Sequence, residues 1–268
     1  MTSYMIRGGR QGKARLQLIA NALRPSTLRL LQSAGIQEGS VCLDVGCGGG
    51  DVTLELARLV GPCGTVVGID MDDIKLSLAQ QDAAQERLGN VTFNLCDATA
   101  LEADSTYDLV YARFLLTHLP EPQRVVQQMV RATKPGGVVV LEDLNHAAIV
   151  SYPACEAVNR YITFYNQVAG LKGADPEIGP KLPELLRQAG AEAIQVQVAQ
   201  PTFLEGAAKR IHQVTLDNIT EAVIAGGLAT ASEVAGVMAE LEAFTQNPHT
   251  LISFPRIFQV WGYRSAGD

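Results

Sequence analysis

The stretch Val41-Cys42-Leu43-Asp44-Val45-Gly46-Cys47-Gly48-Gly49-Gly50-Asp51 constrains this chain more than any other. It opens with a short apolar run ending at an acid, the pattern of a buried parallel strand. Four glycines in five positions follow, and then Val52, Leu56 and Leu59 recur at i, i+4 and i+7, which predicts a helix. Strand, glycine turn and helix make the first half of a nucleotide-binding βαβ unit. Glycine adopts backbone angles that other residues resist and lets a ligand lie against bare main chain. The helix start offers N–H groups to an anionic part of that ligand.

The spacing decides between cofactor classes. A dinucleotide fold uses G-x-G-x-x-G, whose third glycine permits close helix–strand packing beside a pyrophosphate. Counted from Gly46 the third place is Asp51, and counted from Gly48 it is Thr53, so the fingerprint fails in both registers. Asp51 would also repel a pyrophosphate. The pattern present is D-x-G-x-G-x-G, from Asp44 through Gly46 and Gly48 to Gly50. It resembles motif I of the class I S-adenosylmethionine (SAM)-dependent methyltransferases.

Downstream acids arrive at matching places. Thr65-Val66-Val67-Gly68-Ile69-Asp70 reads as a second strand, and a carboxylate at its end offers two acceptor oxygens to a pair of ribose hydroxyls. The alternative for Asp70 is a helix cap; Asp72 and Asp73 suit that role better, ahead of a helix over 73–87. Met71 is placed to touch an adenine face. Residues 91–98 read as a third strand and its exit, 107–113 as a fourth, 121–133 as a helix and 138–144 as a fifth strand, near-continuously apolar as a doubly covered sheet requires. Lys134-Pro135-Gly136-Gly137 reads as a tight turn before that strand. Residues 193–199 and 257–263 supply strands six and seven. The resemblance implies a Rossmann-like, doubly wound, seven-stranded α/β sheet whose last strand inserts antiparallel. It also implies SAM as cofactor, S-adenosylhomocysteine as product, and Asp44, Gly46, Cys47, Gly48, Asp70, Met71, Asp97, Ala98 and Arg113 as cofactor-binding residues, with Asp97 accepting from the adenine amino group.

The ends and insertions need a separate account. Residues 1–34 read as an N-terminal helical segment and cofactor cover, with helices over 13–24 and 26–34 parted at Pro25. Tyr4 precedes a Gly-Gly pair, as in several small-molecule methyltransferases where the segment folds over the cofactor; that resemblance makes Tyr4 a ligand-facing candidate. Residues 35–203 and 251–268 form the core. Residues 146–180, with Tyr152, Tyr161, Phe164 and Tyr165, and residues 204–250 read as helical insertions, since a connection this long needs a purpose. A substrate lid, an edge cap and a homodimer contact all satisfy that need.

Methyl transfer from a sulfonium is an in-line displacement in which positioning and water exclusion do much of the work. For an O–H or N–H acceptor, a base must take the proton. Arg113 followed by His118 resembles the phosphoethanolamine methyltransferases and makes His118 the base candidate. Those enzymes carry an Asp directly after the Arg, where this chain has Phe114, so the resemblance points to a less polar acceptor and to a UbiE-like small-molecule branch. The methionine carboxylate is expected near Arg113, Arg7 or Arg10. Glu142 or Asp143 reads as a substrate contact at the site mouth, with His146 and His212 as weaker candidates.

Composition bounds the partners. The 268 residues carry a net charge of -7, which argues against a nucleic-acid partner because phosphate contacts need a basic face. No apolar run reaches the length of about 18 residues that spans a bilayer. Met1 to Gly12 has no apolar core of a secretory signal, and the five cysteines contain no C-x-x-C pair, which together read as a cytoplasmic chain with reduced thiols and no metal site. The expected activity is methyl transfer to an O or N nucleophile of a small molecule. A protein or RNA methyltransferase and a non-methylating SAM-binding protein are the alternatives.

Overall fold

Short apolar runs bounded by glycine, proline or acid are too short for stable helices, but they pair at once as strands when neighbours share their character. The computed structural model describes residues 9–267, with side chains described from Arg15 onward. In chain order it contains α1 (Gly9–Ser33), β1 (Val41–Val45), α2 (Asp51–Val60), β2 (Thr65–Asp70), α3 (Asp73–Gln85), β3 (Val91–Leu95), β4 (Tyr107–Arg113), α4 (Pro122–Ala132) and β5 (Thr133–Asn145). There follow β6 (Ser151–Tyr152), α5 (Glu156–Leu171), α6 (Leu182–Gln188), β7 (Ala191–Ala199), β8 (Thr202–Phe203), α7 (Ile211–Ala225), α8 (Ala231–Gln246), β9 (Leu251–Ser253) and β10 (Arg256–Arg264).

A seven-stranded sheet has the order β3-β2-β1-β4-β5-β10-β7. The first five strands pair in parallel, and β10 runs antiparallel to both β5 and β7. The chain leaves β1 toward β2 and β3 on one side, then returns to add β4 and β5 on the other. This reversal opens a crevice at the carboxyl ends of β1 and β4, where open α/β sheets take their ligands. Side-chain alternation sends Cys42, Leu109 and Val140 to one face, under Leu30 and Leu31 of α1 and Val52 and Leu56 of α2. Leu43, Val110 and Leu141 go to the other, under Val125 and Met129 of α4 and Leu182 and Leu186 of α6.

The two insertions share a separate core. Val158, Tyr161, Phe164 and Tyr165 of α5 meet Leu216 and Ile219 of α7, Val237 and Leu241 of α8, and Ile252 of β9. A small sheet, β6-β9-β8, ties this helical layer to the main body. A further cluster of Ile19 and Leu23 from α1 with Leu144, Ile211, Phe254 and Ile257 joins the layer to the mouth of the large sheet. No helix among the described residues is long and apolar enough to cross a membrane.

Two expectations are corrected. The N-terminal segment is one helix running through Pro25 rather than two helices parted there. Proline removes a single N–H donor, and Pro25 is exposed, so water can serve the carbonyl it leaves unbonded. Leu23 before it and Leu30 and Leu31 after it are fully buried and hold both halves on one axis. The Lys-Pro-Gly-Gly sequence is an irregularity inside β5, not a separate turn: pairing with β4 jumps from Tyr107–Thr133 to Leu109–Val138.

The start of α2 depends on Gly50, at φ +82°, where an added Cβ would stand 2.8 Å from Ala79 Cβ and 3.0 Å from Phe93 Cζ. Gly50→Ala is therefore expected to destabilise the chain by about 1–3 kcal/mol through overpacking and a left-handed backbone. A urea unfolding midpoint equal to that of the parent chain would contradict it.

Candidate functional site

A cavity of about 410 Å³ lies at the carboxyl ends of β1 to β5. Its floor is the glycine turn. Gly46 and Gly48 take φ of +72° and +54°, and Cβ atoms there would stand 3.0 Å from Leu115 Cδ1 and 3.2 Å from Leu16 Cδ1. The turn is pinned from β2: the amides of Gly46 and Cys47 donate to Ile69 O at 2.8 and 2.9 Å. Asp70 adds a clamp, its Oδ2 accepting from the Gly48 amide and its Oδ1 from the Asp72 amide, each at 2.9 Å. Asp72 caps α3 through the Lys75 amide, as expected. The carboxylate expected to hold a sugar thus also shapes the loop beside it.

The other candidates gather around that floor. Asp44 is buried and accepts from Thr53 Oγ1 at 2.6 Å; burial pushes its carboxyl up to about 6. Met71 lies at the mouth with 65% of its surface exposed, beside Cys96, Asp97 and the buried Ala98. Asp97 Oδ1 accepts from the amide and hydroxyl of Thr99 and caps the short turn Ala98–Ala100.

Arg113 ends β4 in the cavity wall, with Nη1 3.4 Å from Thr27 Oγ1. Glu142 stands behind it, accepting from Thr27 Oγ1 at 3.2 Å and from Gln259 Nε2 at 2.8 Å. Burial raises the Glu142 carboxyl above its ordinary range, against the pull of the Arg113 charge. Glu142 and Asp143 are buried behind the wall and do not line the cavity, which corrects the expectation of a substrate contact. As neighbours on the strand they point to opposite faces of the pleat, Glu142 to Thr27 of α1 and Asp143 to the Thr117 amide, and both faces are covered there.

Asp143 has a positioning role instead. Its Oδ2 accepts from the Thr117 amide at 3.1 Å, and Thr117 Oγ1 donates to Asp175 O at 2.9 Å. These bonds fix the single-turn helix Leu116–His118, which presents His118 to the cavity. Burial, with Arg15 and Lys75 nearby, lowers His118 to about 4, so its imidazole is neutral at pH 7 and weakly basic. Phe114 makes the bend between β4 and this turn at φ +53°, a strained conformation for an aromatic residue. Its amide donates to Glu142 O at 2.9 Å, and its ring lies 5.8 Å from the Arg113 guanidinium carbon. Tyr4 and Arg7 lie outside the described residues, as does the side chain of Arg10.

Far from the glycine turn, the wall comes from the insertions. Tyr161 and Tyr165 are one helical turn apart on α5 and share a face. His146 stacks on Tyr165 at 3.9 Å between centroids, and its Nε2 is 3.1 Å from the Tyr161 hydroxyl. His146 Nδ1 lies 3.1 Å from Asn166 Oδ1. His212 Nε2 faces Ser253 O at 2.8 Å and therefore carries the proton. From α1, Arg15 Nε donates to Thr215 Oγ1 at 3.1 Å. Sequence reasoning named the two histidines as weak candidates and the tyrosines without a role; it missed Arg15. The i, i+4 tyrosine pair was the available signal.

The chain matches the family described as "Methyltransferase domain" over residues 36–218. It belongs to that family. The strand order with its antiparallel β10 and the glycine turn give it the fold of the class I SAM-dependent methyltransferases. It is similar to the demethylmenaquinone methyltransferase of Halalkalibacterium halodurans, 37% identical over 129 residues, which are 48% of this chain and 51% of that one. The demethylmenaquinone methyltransferase of Bacillus cereus is 31% identical over 196 residues, 66% of this chain and 78% of the relative. The chain thus spans about half of the first relative and more than three quarters of the second.

Solved structures share the fold at low identity. The phosphoethanolamine N-methyltransferase 2 of Haemonchus contortus, in complex with phosphomonomethylethanolamine and S-adenosylhomocysteine, superposes with a TM-score of 0.57 at 19% identity, covering 91% of this chain and 53% of that one. The [4+2]-cyclase SpnF gives 0.55 at 21% identity, covering 91% and 82%.

Proposed function

We propose that this methyltransferase transfers a methyl group to a small, largely apolar, ring-bearing molecule. The observation that carries the reading is the continuity of one cavity from the glycine turn to the aromatic wall of α5 and α7. A pocket of a few hundred Å³ lined by rings and a few placed polar groups suits a small ligand rather than a polymer. The demethylmenaquinone methyltransferase relatives favour the same class of acceptor.

The residues present fit SAM. Cβ-free Gly46 and Gly48 leave room for the methionine end along bare main chain, with Cys47 beside it and Arg113 as partner for its carboxylate. Asp70 takes the ribose hydroxyls, Met71 and Ala98 flank the adenine, and Asp97 keeps Oδ2 for its amino group. Asp44, tied to Thr53, holds the turn in shape. Bound SAM supplies a methyl already activated on a sulfonium, so the chain's task is to place the acceptor and exclude water. Helices α5, α7 and α8, with their own core, act as the cap that does so, and α1 covers the cofactor end. His118 contributes a neutral hydrogen-bonding imidazole at the junction of the two halves, which orients the acceptor.

The test is a turnover screen with methyl-labelled SAM against demethylmenaquinol, substituted phenols and primary amines, beside bulk RNA and protein. Label is expected in quinol or phenol products. Label confined to protein, RNA or amines would overturn the proposal.

A further inference from the structure

The cavity separates charge. The carboxylates that line it are Asp44, Asp51, Asp70 and Asp97, all around the glycine turn and the ends of β2 and β3. None among the described residues lines the end beneath α5 and α7. That end carries Arg15. Of the cations nearer the glycine turn, Lys75 lies 3.4 Å from Asp72, and Arg113 is balanced from behind by Glu142. Arg15 is held by a neutral group, the Thr215 hydroxyl, and no carboxylate pairs with it among the described residues. A guanidinium facing an apolar, ring-lined chamber gains most from an anion brought by the ligand.

The groups around Arg15 are poor proton acceptors. They are His118 after β4, His146 after β5, Tyr161 and Tyr165 on α5, and His212 on α7. Burial lowers the imidazoles of His118 and His212 to about 4 and that of His146 to about 3, and it raises both tyrosines, Tyr165 to about 12. None takes a proton readily at pH 7, so the acceptor must lose its own before it is enclosed.

We propose that the methyl acceptor binds as an oxyanion, the phenolate or enolate of an apolar ring, with its oxygen held by Arg15. This rests on the small-molecule reading above. The acceptor's proton goes to bulk water on binding. Its electron pair, on the oxygen or on a ring carbon conjugated with it, forms the bond to the methyl carbon while the carbon–sulfur bond breaks and its pair stays on sulfur. The product is neutral in either case, which removes the attraction to Arg15 and favours release.

The experiment uses the full chain saturated with S-adenosylhomocysteine and two probes, 4-nitrophenol and its non-ionising ether 4-nitroanisole. Absorbance of the nitrophenolate reports ionisation without turnover. The parent chain is expected to bind nitrophenol at least about tenfold more tightly than the ether at neutral pH, as a charge-assisted contact implies, and to ionise it at lower pH than water does. Arg15→Gln should lose both effects while keeping its affinity for S-adenosylhomocysteine, and Arg15→Lys should keep part of the ionisation shift. An Arg15→Gln variant that still prefers and ionises nitrophenol overturns the proposal. So does one that loses S-adenosylhomocysteine instead, since Arg15 then serves the cofactor. Equal binding of the two probes by the parent chain overturns this inference alone; failure to bind either probe overturns the small-molecule reading with it.

Discussion

Asp70→Ala is expected to weaken S-adenosylhomocysteine binding by about 1–3 kcal/mol, the cost of leaving hydrogen-bonding groups unpaired. The carboxylate does two jobs. It accepts from the Gly48 and Asp72 amides at 2.9 Å, and so sets the turn against which the cofactor lies. In the proposed cofactor site it also takes the two ribose hydroxyls. Alanine withdraws both, while Asp70→Asn keeps one acceptor oxygen and should fall between. Calorimetric titration of the parent chain and both variants measures the effect. An alanine variant with parental affinity would remove Asp70 from the cofactor site.

Glu142→Ala is expected to destabilise the folded chain by about 2–3 kcal/mol, because it leaves buried donors unpaired and withdraws a carboxylate charge from the half-buried Arg113. Glu142 is 1% exposed, and its oxygens are committed to Thr27 and Gln259. Removing it leaves those donors unsatisfied. Replacing Arg113 with methionine in the same chain should recover part of the loss, since the uncompensated charge disappears with it. Denaturant unfolding of the single and double variants provides the check. A loss under about 1 kcal/mol for Glu142→Ala would mean that Arg113 is neutralised elsewhere.

The glycine-turn end of the cavity was readable in the chain because its demands are local. A strand must end, the main chain must turn within a few residues, and only glycine meets those angles, so Gly46 and Gly48 are where spacing places them. Acids at strand ends, Asp70 and Asp97, follow the same logic, as parallel strands put all their carboxyl ends at one edge. Glu142 and Asp143 were also readable as strand-end acids, yet their side chains fall behind the wall. Adjacent residues point to opposite faces of the strand, and here each face is covered, by Thr27 of α1 on one and by the Leu116–His118 turn on the other.

Strand period, turn chemistry and the spacing of acids, all set by neighbouring residues, already specify the sheet, its glycine cradle and the family. The far end of the cavity is assembled by packing alone. Arg15 meets Thr215 across 200 positions, and His146, Tyr161 and His212 converge from a loop and two helices. Those helices are positioned by a core of their own, whose packing no local pattern encodes. The continuity of α1 through Pro25 was decided in the same way, by buried leucines on both sides outweighing one missing donor.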